Sequence, residues 1–569
     1  MAILEIIGVA SIIPFMALVG DFNQLHNGGY ISRIFENSGI QNETLFIFVL
    51  GLLVLLILIL SATISVLTIW KISMFAADVG SEIASRLFLH YLKQDWLFHA
   101  SGSSAQLTKK IAVEASRVSG GVIMPLMQMN ARIVSTSLIS FTLLVYDPKV
   151  AIVGFLVFAV SYFFLFKIVR FRLHQNGNNI SMTNEDRFRL MNEGFGGIKD
   201  VFMFGRSSFF TTSFDKSSQK LAYSQGSNSA LTQVPRYFME LVAFGAMITL
   251  ILYLLITHNG KLAVMLPILS VYALAILKII PAFQQIYGSL AKIKGNIAAF
   301  ESIEKDLSDS FKIDLESSDF DERHLLPNKQ ILLHDICFSY PNKKECTLKG
   351  ITICIPANKV IGIVGPSGSG KSTIIDILLG LIVPQKGHIQ IDNKIINDSN
   401  RRSWQNVIGY VPQSIFLSEG SIAENVAFGL PQNKICTESV QKALKLANLD
   451  KFVENLEFGL ETKVGERGVQ LSGGQRQRVG IARALYNESE VLVFDEATSS
   501  LDGISEKMIM ESIDKLSSSK TIVMVAHRLK TIKNCSKIFF VNNGKVEDQG
   551  EYDELLERNE KFRNMALLA

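Results

Sequence analysis

Long apolar stretches alternate with polar ones through the first half of the chain. Thr44 to Trp70 is a run of 27 residues without a charge, and a helix needs only about 20 residues to cross a ~30 Å hydrocarbon core. Because five other stretches have the same character, the pattern predicts six membrane-spanning helices. The other five are Met1 to Gly20, Val122 to Tyr146, Val150 to Phe166, Leu241 to Gly260 and Leu262 to about Ala291.

The links between these stretches predict their orientation. The links at 147–149 and 258–261 are short enough for tight hairpins, whereas those at 71–121 and 170–235 are long and polar. The two long links carry 14 Lys and Arg, against three on the opposite side, and basic residues favour the cytosol. We therefore predict cytosolic long links and cytosolic termini. Ala77 to Lys93 has helical spacing, so the membrane helices are expected to extend beyond the bilayer.

The start of the chain and the first outer link each leave an alternative open. No basic residues precede the apolar run from Met1, so an uncleaved first crossing is favoured over a secretory signal peptide. Asp21 to Glu43 is predicted either as a short amphipathic helix at the outer surface, with Tyr30 and Phe35 among its apolar residues, or as an ordinary loop.

After Ser308 the composition becomes polar, and then strand and helix patterns alternate. The predicted organisation is a transmembrane domain at 1–305, a linker at 306–328 and a second domain at 329–569. The fold class is therefore a six-crossing α-helical transmembrane domain followed by an α/β domain.

The second domain contains a glycine-rich loop between a strand and a helix. The buried strand Val360 to Val364 runs directly into residues 365–373, which read GPSGSGKST and precede an apolar helix. This context identifies a phosphate-binding loop, or P-loop. Its glycines let backbone N–H groups surround phosphate oxygens at a helix N-terminus, Lys371 reaches the terminal phosphates, and Ser372 offers a hydroxyl to Mg²⁺.

Two carboxylates follow a later strand. The apolar run Val491 to Phe494 ends in Asp495 and Glu496. Beside a P-loop, this pair suits ATP hydrolysis, because Asp495 can hold Mg²⁺ through water while Glu496 accepts a proton from the attacking water.

Three further elements make the nucleotide site specific: Leu471 to Arg478, Ser499 to Asp502, and His527. Together with Gln413 they resemble the ATPase of ABC transporters, and the whole chain resembles an ABC exporter half-molecule. The resemblance implies that Tyr340 stacks on adenine and that Gln413 contacts Mg²⁺ and water. It makes Glu496, His527 and Gln413 the catalytic set, with His527 sensing the γ-phosphate.

The same resemblance implies a set of ATP-binding residues and a set of Mg²⁺ ligands. The Mg²⁺ ligands would be Ser372, Gln413 and Asp495. The ATP-binding residues would be Tyr340, Gly365, Ser367, Gly368, Ser369, Gly370, Lys371, Ser372, Thr373, Ser472, Gly473, Gly474, Gln475 and Asp502.

In this family each ATP lies between the P-loop of one ATPase and the signature of another, here Leu471 to Arg478. One chain carries one of each, so the resemblance implies two chains, with Asp502 across the dimer seam. Both elements match the active pattern, which favours a homodimer.

The resemblance also implies contacts between the two domains. The loop Val464 to Gly468 matches one that exporters use to touch the membrane half of the opposite subunit. The turns near Gln94 to His99 and Gly196 to Phe210 would be coupling helices. Their aromatic and apolar residues are either anchors on the ATPase or ordinary packing: Trp96, Leu97, Phe202 and Phe204.

The composition of the chain limits the class of protein and the kinds of partner it can have. Apolar residues make up 48% of the chain and charged residues 19%, which fits a membrane protein. The net charge of +4 gives no general affinity for nucleic acid, and the five cysteines form no CxxC pair. A reducing cytosol suits these cysteines. The resemblance implies a protein of the bacterial cytoplasmic membrane with its ATPase in the cytosol and with ATP and Mg²⁺ as cofactors.

The substrate is indicated only by short motifs. Val234 to Glu240, Ile12 to Phe15 and the outer amphipathic segment resemble bacterial flippases for polyprenyl-diphosphate-linked oligosaccharides. The resemblance implies ATP-driven flipping of such a lipid, with membrane lipid and the lipid-linked oligosaccharide as partners, in the service of protein glycosylation. The chain departs from these flippases in having no basic lead-in and no arginine on its second helix.

A pyrophosphate headgroup needs cations, and Arg236 and Lys278 are the candidates for the substrate cavity, with Arg132 as a third. Alternatively, the first two snorkel to lipid headgroups, or Arg236 only pairs with Glu240 one turn away. Two other functions stay open: export of another amphiphile such as a drug, glycolipid or lipopeptide, and a membrane-tethered ATPase that signals without transport.

Overall fold

The computed structural model describes most of the chain and divides it into two compact units. The first unit comprises Met1–Gln94 and Phe98–Leu315, and the second comprises Asp95–Leu97 and Glu316–Ala569. The described residues are 7, 11, 15, 18, 30–40, 42–146, 148–257, 262–312, 324–341, 343, 345–465, 468–497, 503–526 and 529–567.

The first unit is helical. Four of its helices are 49 to 51 residues long, which corresponds to roughly 75 Å at about 1.5 Å per residue. The prediction that the membrane helices extend far beyond a bilayer is confirmed. The helices are α1 (Tyr30–Ser38), α2 (Glu43–Leu92), α3 (Trp96–Ser101, whose first two residues belong to the second unit), α4 (Ser104–Lys109), α5 (Ala115–Val118), α6 (Met124–Tyr146), α7 (Pro148–Gly196), α8 (Ile198–Met203), α9 (Ser207–Thr257) and α10 (Leu262–Ser310).

Within the described residues, three helical stretches are long and apolar enough to cross a membrane. They are Glu43–Leu92, Ser104–Phe141 and Ser207–Tyr253. The first predicted crossing, at residues 1–20, lies almost wholly outside the described residues, so the count of six stays a prediction. The last helix ends at Ser310, a few residues beyond the end predicted for the transmembrane domain.

The outer link forms the helix that the sequence left open. Helix α1 spans Tyr30–Ser38, so the alternative of an ordinary loop is wrong here. The ring of Phe35 packs edge-on against that of Phe46, with 5.0 Å between the ring centres. Leu18 and Phe46 are buried in the same small cluster, which explains why the apolar side of the segment favours a helix.

Two π-helical turns interrupt the helical stretch that begins at Ser104. They span Lys110–Glu114 and Ser119–Ile123, on either side of α5. Glu114 is fully buried, and its carboxylate accepts a hydrogen bond of 2.8 Å from Nη1 of Arg117. Nη1 of Arg117 also donates to the hydroxyl of Ser181 on α7, at 2.7 Å. The buried ion pair therefore joins the interrupted helix to its neighbour, and a buried charge is tolerated only with such partners.

The second unit contains two sheets. A four-stranded antiparallel sheet has the order β2-β1-β4-β5, and a six-stranded sheet has the order β10-β9-β3-β8-β7-β6, parallel except for β10. The strands are β1 (Gln330–Phe338), β2 (Leu348–Pro356), β3 (Val360–Val364), β4 (Lys386–Ile391), β5 (Lys394–Ile395), β6 (Ile408–Val411), β7 (Val491–Asp495), β8 (Thr521–Val525), β9 (Lys537–Asn542) and β10 (Lys545–Gly550).

Helices cover both faces of the six-stranded sheet. The helices described in the second unit are α11 (Lys371–Leu378), α12 (Arg401–Gln405), α13 (Ile422–Val426), α14 (Thr437–Leu446), α15 (Asp450–Glu454), α16 (Gly473–Tyr486), α17 (Gly503–Leu516), α18 (Tyr552–Arg558) and α19 (Glu560–Leu567). A parallel sheet covered on both faces explains why its central strands are continuous apolar runs.

Alternate residues of each central strand enter two different buried clusters. On β7, Val491 and Val493 pack in the cluster that contains α11, whereas Leu492 and Phe494 pack in the cluster that contains α16. Since successive side chains of a strand point to opposite faces, α11 and α16 lie on opposite faces of the sheet.

Candidate functional site

The P-loop connects β3 to α11. Gly370 has a φ of 108°, and a Cβ atom there would lie 2.7 Å from Cδ2 of Leu348, so only glycine fits. Lys371 is buried, and its Nζ donates to the carbonyl oxygens of Gly365 at 2.8 Å and Pro366 at 2.9 Å. The side chain is thus held along the loop at the N-terminus of α11.

The P-loop has the donors that a polyphosphate needs. The hydroxyl of Ser369 is buried and has no hydrogen-bond partner among the described residues. Burial lowers the pKa of Lys371, whereas the nearby carboxylates of Glu496 and Asp495 favour its charged form. The loop therefore combines a buried hydroxyl, a lysine cation and the N–H groups of a helix N-terminus. Together these groups can bind the oxygen atoms of a phosphate chain.

Tyr340 lies beside the P-loop helix. Its hydroxyl is 3.2 Å from Oγ1 of Thr373, and its ring packs edge-on against Phe338, with 5.1 Å between ring centres. The structure therefore brings Tyr340 to the nucleotide site, although it lies outside the loop itself.

Glu496 and Gln413 meet at one edge of the six-stranded sheet. They follow β7 and β6, which are parallel neighbours, so their ends coincide. Nε2 of Gln413 donates to Oε2 of Glu496 at 2.7 Å. The backbone N–H of Glu496 donates to the carbonyl of Val525 at 3.0 Å, and its φ is 50°. Such a conformation is uncommon for a residue other than glycine and is frequent at functional sites.

Magnesium fits this edge only together with a nucleotide. Ser372, Gln413 and Asp495 offer the oxygen ligands that Mg²⁺ prefers, and in nucleotide sites phosphate oxygens complete its coordination. The described residues contain no group of three or more His, Cys, Asp or Glu residues that could hold a metal ion. Asp502 and His527 lie outside the described residues.

The signature begins helix α16. Ser472 caps the helix, accepting from the N–H of Gln475 at 3.2 Å, while Oε1 of Gln475 accepts from the N–H of Ser472 at 2.7 Å. The exposed N-terminus of this 14-residue helix suits an anion. Because α11 and α16 lie on opposite faces of the sheet, Ser472 and Lys371 of one chain do not face each other.

Arg483 lies on the signature helix and was not recognised from the sequence. Its Nε donates to the carbonyl of Asn425 at 2.8 Å, its Nη1 donates to that of Phe416 at 2.9 Å, and its guanidinium lies 4.6 Å from the ring centre of Phe428. The helix is therefore fastened to the segment that follows Gln413.

Asp376 was also missed, because it is a single carboxylate within an apolar helix. Burial raises its pKa to about 6, a hydrogen bond from the side chain of Trp96 acts in the opposite direction, and the negative charge of Asp495 adds to the rise. Burial also raises the pKa of Tyr410, with further contributions from Asp495 and Asp376.

The four residues proposed as anchors on the ATPase differ in their contacts and exposure. Leu97 packs against the buried cluster that contains residues of α11, and the side chain of Trp96 hydrogen-bonds to that of Asp376. Phe202 and Phe204 of the first unit are 73% and 72% exposed within this chain.

Two of the three candidate cations of the first unit have partners among the described residues. Nε of Arg236 donates to Oε1 of Glu240 at 2.8 Å, which is the pairing that the sequence left open, and the arginine side chain is 62% exposed. Nε of Arg132 on α6 donates to Oε1 of Gln285 on α10 at 2.7 Å. One turn from Arg132, the buried Thr136 hydroxyl has no partner among the described residues. The side chain of Lys278 lies outside the described residues.

Comparison with known proteins agrees with this architecture. The family described as ABC transporter transmembrane region matches residues 11–257, and the family described as ABC transporter matches residues 348–499. A solved structure titled as a bacterial Atm1-family ABC exporter with ATP bound superimposes with a TM-score of 0.81 at 21% identity, covering 100% of this chain and 96% of that one. The predicted order of a helical transmembrane domain followed by an α/β ATPase domain is confirmed.

The curated relatives include proteins of known transport function. The heterocyst differentiation ATP-binding protein HepA of a Nostoc species is 30% identical over 82% of this chain and 75% of its own. The ATP-dependent lipid A-core flippases of Photorhabdus laumondii and Salmonella typhimurium are both 27% identical, over 89% of this chain and 86% of theirs. The chain therefore belongs to the ABC transporter family, as an exporter half-molecule of the bacterial cytoplasmic membrane that couples ATP hydrolysis in a cytosolic domain to transport.

Proposed function

We propose that two copies of this chain form a homodimer that flips a polyprenyl-diphosphate-linked oligosaccharide across the cytoplasmic membrane. The observation that carries the proposal is the hydrogen bond between Arg132 and Gln285 on two apolar helices, with the buried hydroxyl of Thr136 one turn along from Arg132. Ionisable residues in such helices are costly and are usually functional. Charged hydrogen bonds to a phosphate-bearing headgroup would offset the free-energy cost of placing an ionisable residue in an apolar helix.

We propose an ATP site that combines the described geometry with the roles implied by the resemblance. Lys371 and the P-loop N–H groups bind the phosphates, Tyr340 stacks on adenine, and Ser472 to Gln475 of the second chain close the site. Ser372, Gln413 and Asp495 would hold Mg²⁺, which would supply positive charge at the phosphates. Gln413 orients the Glu496 carboxylate, which accepts the proton of the attacking water. By resemblance, His527 senses the γ-phosphate and Asp502 contributes across the seam.

A second candidate substrate is another glycolipid. The relatives named as lipid A-core flippases favour it, and the same pair of Arg132 and Gln285 would serve any anionic headgroup. A flipping assay in proteoliposomes with labelled polyprenyl-diphosphate glycans and labelled glycolipids separates the two candidates by which label crosses the bilayer.

The residue-level test replaces the cations. Arg132→Ala, Arg236→Ala and Lys278→Ala should each lower flipping about tenfold, because a hydrogen bond to a charged group is worth roughly 1.5–3 kcal/mol. Basal ATP turnover should change little. Arg236→Lys should be milder than Arg236→Ala, since it keeps the charge but loses the bidentate fork.

Arg189→Ala is the matched control. Arg189 pairs with Asp186 at 3.1 Å in an exposed ion pair on one helix, which resembles the pair of Arg236 and Glu240, and it should leave flipping unchanged. If the three alanine variants flip the glycan at the wild-type rate, the cations only anchor the helices and the proposed headgroup contact is wrong.

A further inference from the structure

The segment that presents Tyr340 begins where two antiparallel strands stop pairing. The last register pair between β1 and β4 joins Cys337 to Lys386, and the same register continued would set Ser339 opposite Pro384. Proline has no N–H group and cannot continue a ladder of backbone hydrogen bonds. The regular pairing therefore ends just before Tyr340.

The side chain of Gln385 replaces the missing backbone partner. Its Oε1 accepts a hydrogen bond from the backbone N–H of Ser339 at 3.1 Å, and its Nε2 donates to the carbonyl oxygen of Ser339 at 3.0 Å. The backbone N–H of Gln385 donates to the carbonyl of Cys337 at 3.0 Å. A primary amide carries a donor and an acceptor, as a peptide group does, so one side chain satisfies both backbone groups of Ser339.

These two hydrogen bonds act on the residue that follows. The carbonyl that Gln385 binds belongs to the same planar peptide group as the nitrogen of Tyr340, so the bond fixes the plane from which the tyrosine leaves the chain. The Tyr340 hydroxyl reaches Oγ1 of Thr373 on the P-loop helix at 3.2 Å. The hydroxyl of Ser339 donates to the carbonyl of Lys343 at 3.2 Å, which stabilises the turn beyond it.

We propose that Gln385 is a positioning residue for ATP binding: its paired hydrogen bonds to Ser339 hold the ring of Tyr340 where it stacks on adenine. Without them the segment has more conformations, and the entropy cost of ordering it opposes ATP binding. This role rests on the stacking proposed for Tyr340 and does not depend on the transported substrate.

The test measures steady-state ATP turnover of the full chain in lipid nanodiscs, without any transported substrate. Gln385→Met keeps the length of the side chain and removes both hydrogen bonds, so KM for ATP should rise about fivefold. The value of kcat should change less than about twofold, because the loss is equal in the ground state and the transition state.

A second readout separates positioning from a general loss of structure. Tripolyphosphate with magnesium offers the phosphates of ATP without adenine, so its inhibition constant should be the same for Gln385→Met and the wild type. A variant whose P-loop is damaged would bind ATP and tripolyphosphate equally poorly.

Further variants place the effect on the ring. Gln385→Glu sets a carboxylate against the carbonyl of Ser339 and should be at least as weak as Gln385→Met. Tyr340→Ala should raise KM about tenfold, as for the loss of one stacked base. The double variant Gln385→Met/Tyr340→Ala should be no weaker than Tyr340→Ala, because Gln385 acts through the ring. Gln390→Met is the matched control and should leave KM unchanged, because Nε2 of Gln390 on β4 donates to the carbonyl of Asp392 at 2.7 Å.

Three results would overturn the role of Gln385. These are a Gln385→Met enzyme with wild-type KM, an equal loss of affinity for tripolyphosphate, and additive losses in the double variant. A wild-type KM for Tyr340→Ala would refute the stacking role and the role of Gln385 together. A raised KM for Tyr340→Ala beside a wild-type KM for Gln385→Met would refute the role of Gln385 alone.

Discussion

Replacing Glu496 with Gln should abolish nearly all ATP turnover, by about 10²–10⁴-fold, the usual contribution of a general base. The amide is isosteric but cannot accept the proton of the attacking water. ATP should still bind through Lys371 and the P-loop, and the dimer should remain closed on it. Phosphate release and retention of labelled nucleotide measure the two effects separately.

The control for this substitution lies on the same stretch of chain. Glu490 immediately precedes β7, pairs with Lys520 at 3.6 Å and is 48% exposed, so Glu490→Gln should leave turnover near the wild-type level. If Glu496→Gln retains more than about a tenth of wild-type turnover, Glu496 is not the base.

Mixed dimers should recover an activity that neither parent variant has. Homodimers of Lys371→Ala and of Ser472→Arg should each lose about 10²-fold in turnover, the typical effect of removing one preorganised charge contact. In a mixed dimer both defects fall in the same composite site, so the second site is intact. This expectation rests on the placement of α11 and α16 on opposite faces of one sheet.

Two affinity tags isolate the mixed dimer for the measurement. A dimer that carries Lys371→Ala in both chains is the control and should stay inactive. Isolated mixed dimers that remain as slow as either parent would contradict a site shared between two chains.

The sequence was sufficient for the P-loop because its donors are contiguous. Residues 365–373 sit on one turn between a strand and a helix, and their chemistry does not depend on distant residues. The pairing of Arg236 with Glu240 could also be predicted, because a spacing of four residues on a helix brings two side chains together.

Contacts between residues far apart in the sequence could not be predicted from it. Trp96 hydrogen-bonds to Asp376, but the two residues lie in separate segments and no periodicity of the sequence connects them. Arg483 likewise occupies an ordinary helical position, and only the folded loop after Gln413 supplies the carbonyls that it binds. The adenine, γ-phosphate and seam roles of Tyr340, His527 and Asp502 remain predictions from resemblance.

The two π-helical turns at Lys110–Glu114 and Ser119–Ile123 set the direction of side chains much farther along. Each π turn accommodates one additional residue, and each residue of an α-helix advances about 100° around its axis. Every position after Ile123 is thus rotated relative to an uninterrupted helix, including Arg132, which faces Gln285. Deleting one residue from the turn at Lys110–Glu114 would rotate Arg132 away from α10 without altering any residue of the apolar stretch itself. A single-residue insertion or deletion in either turn would therefore turn the polar side chains of α6 relative to α10.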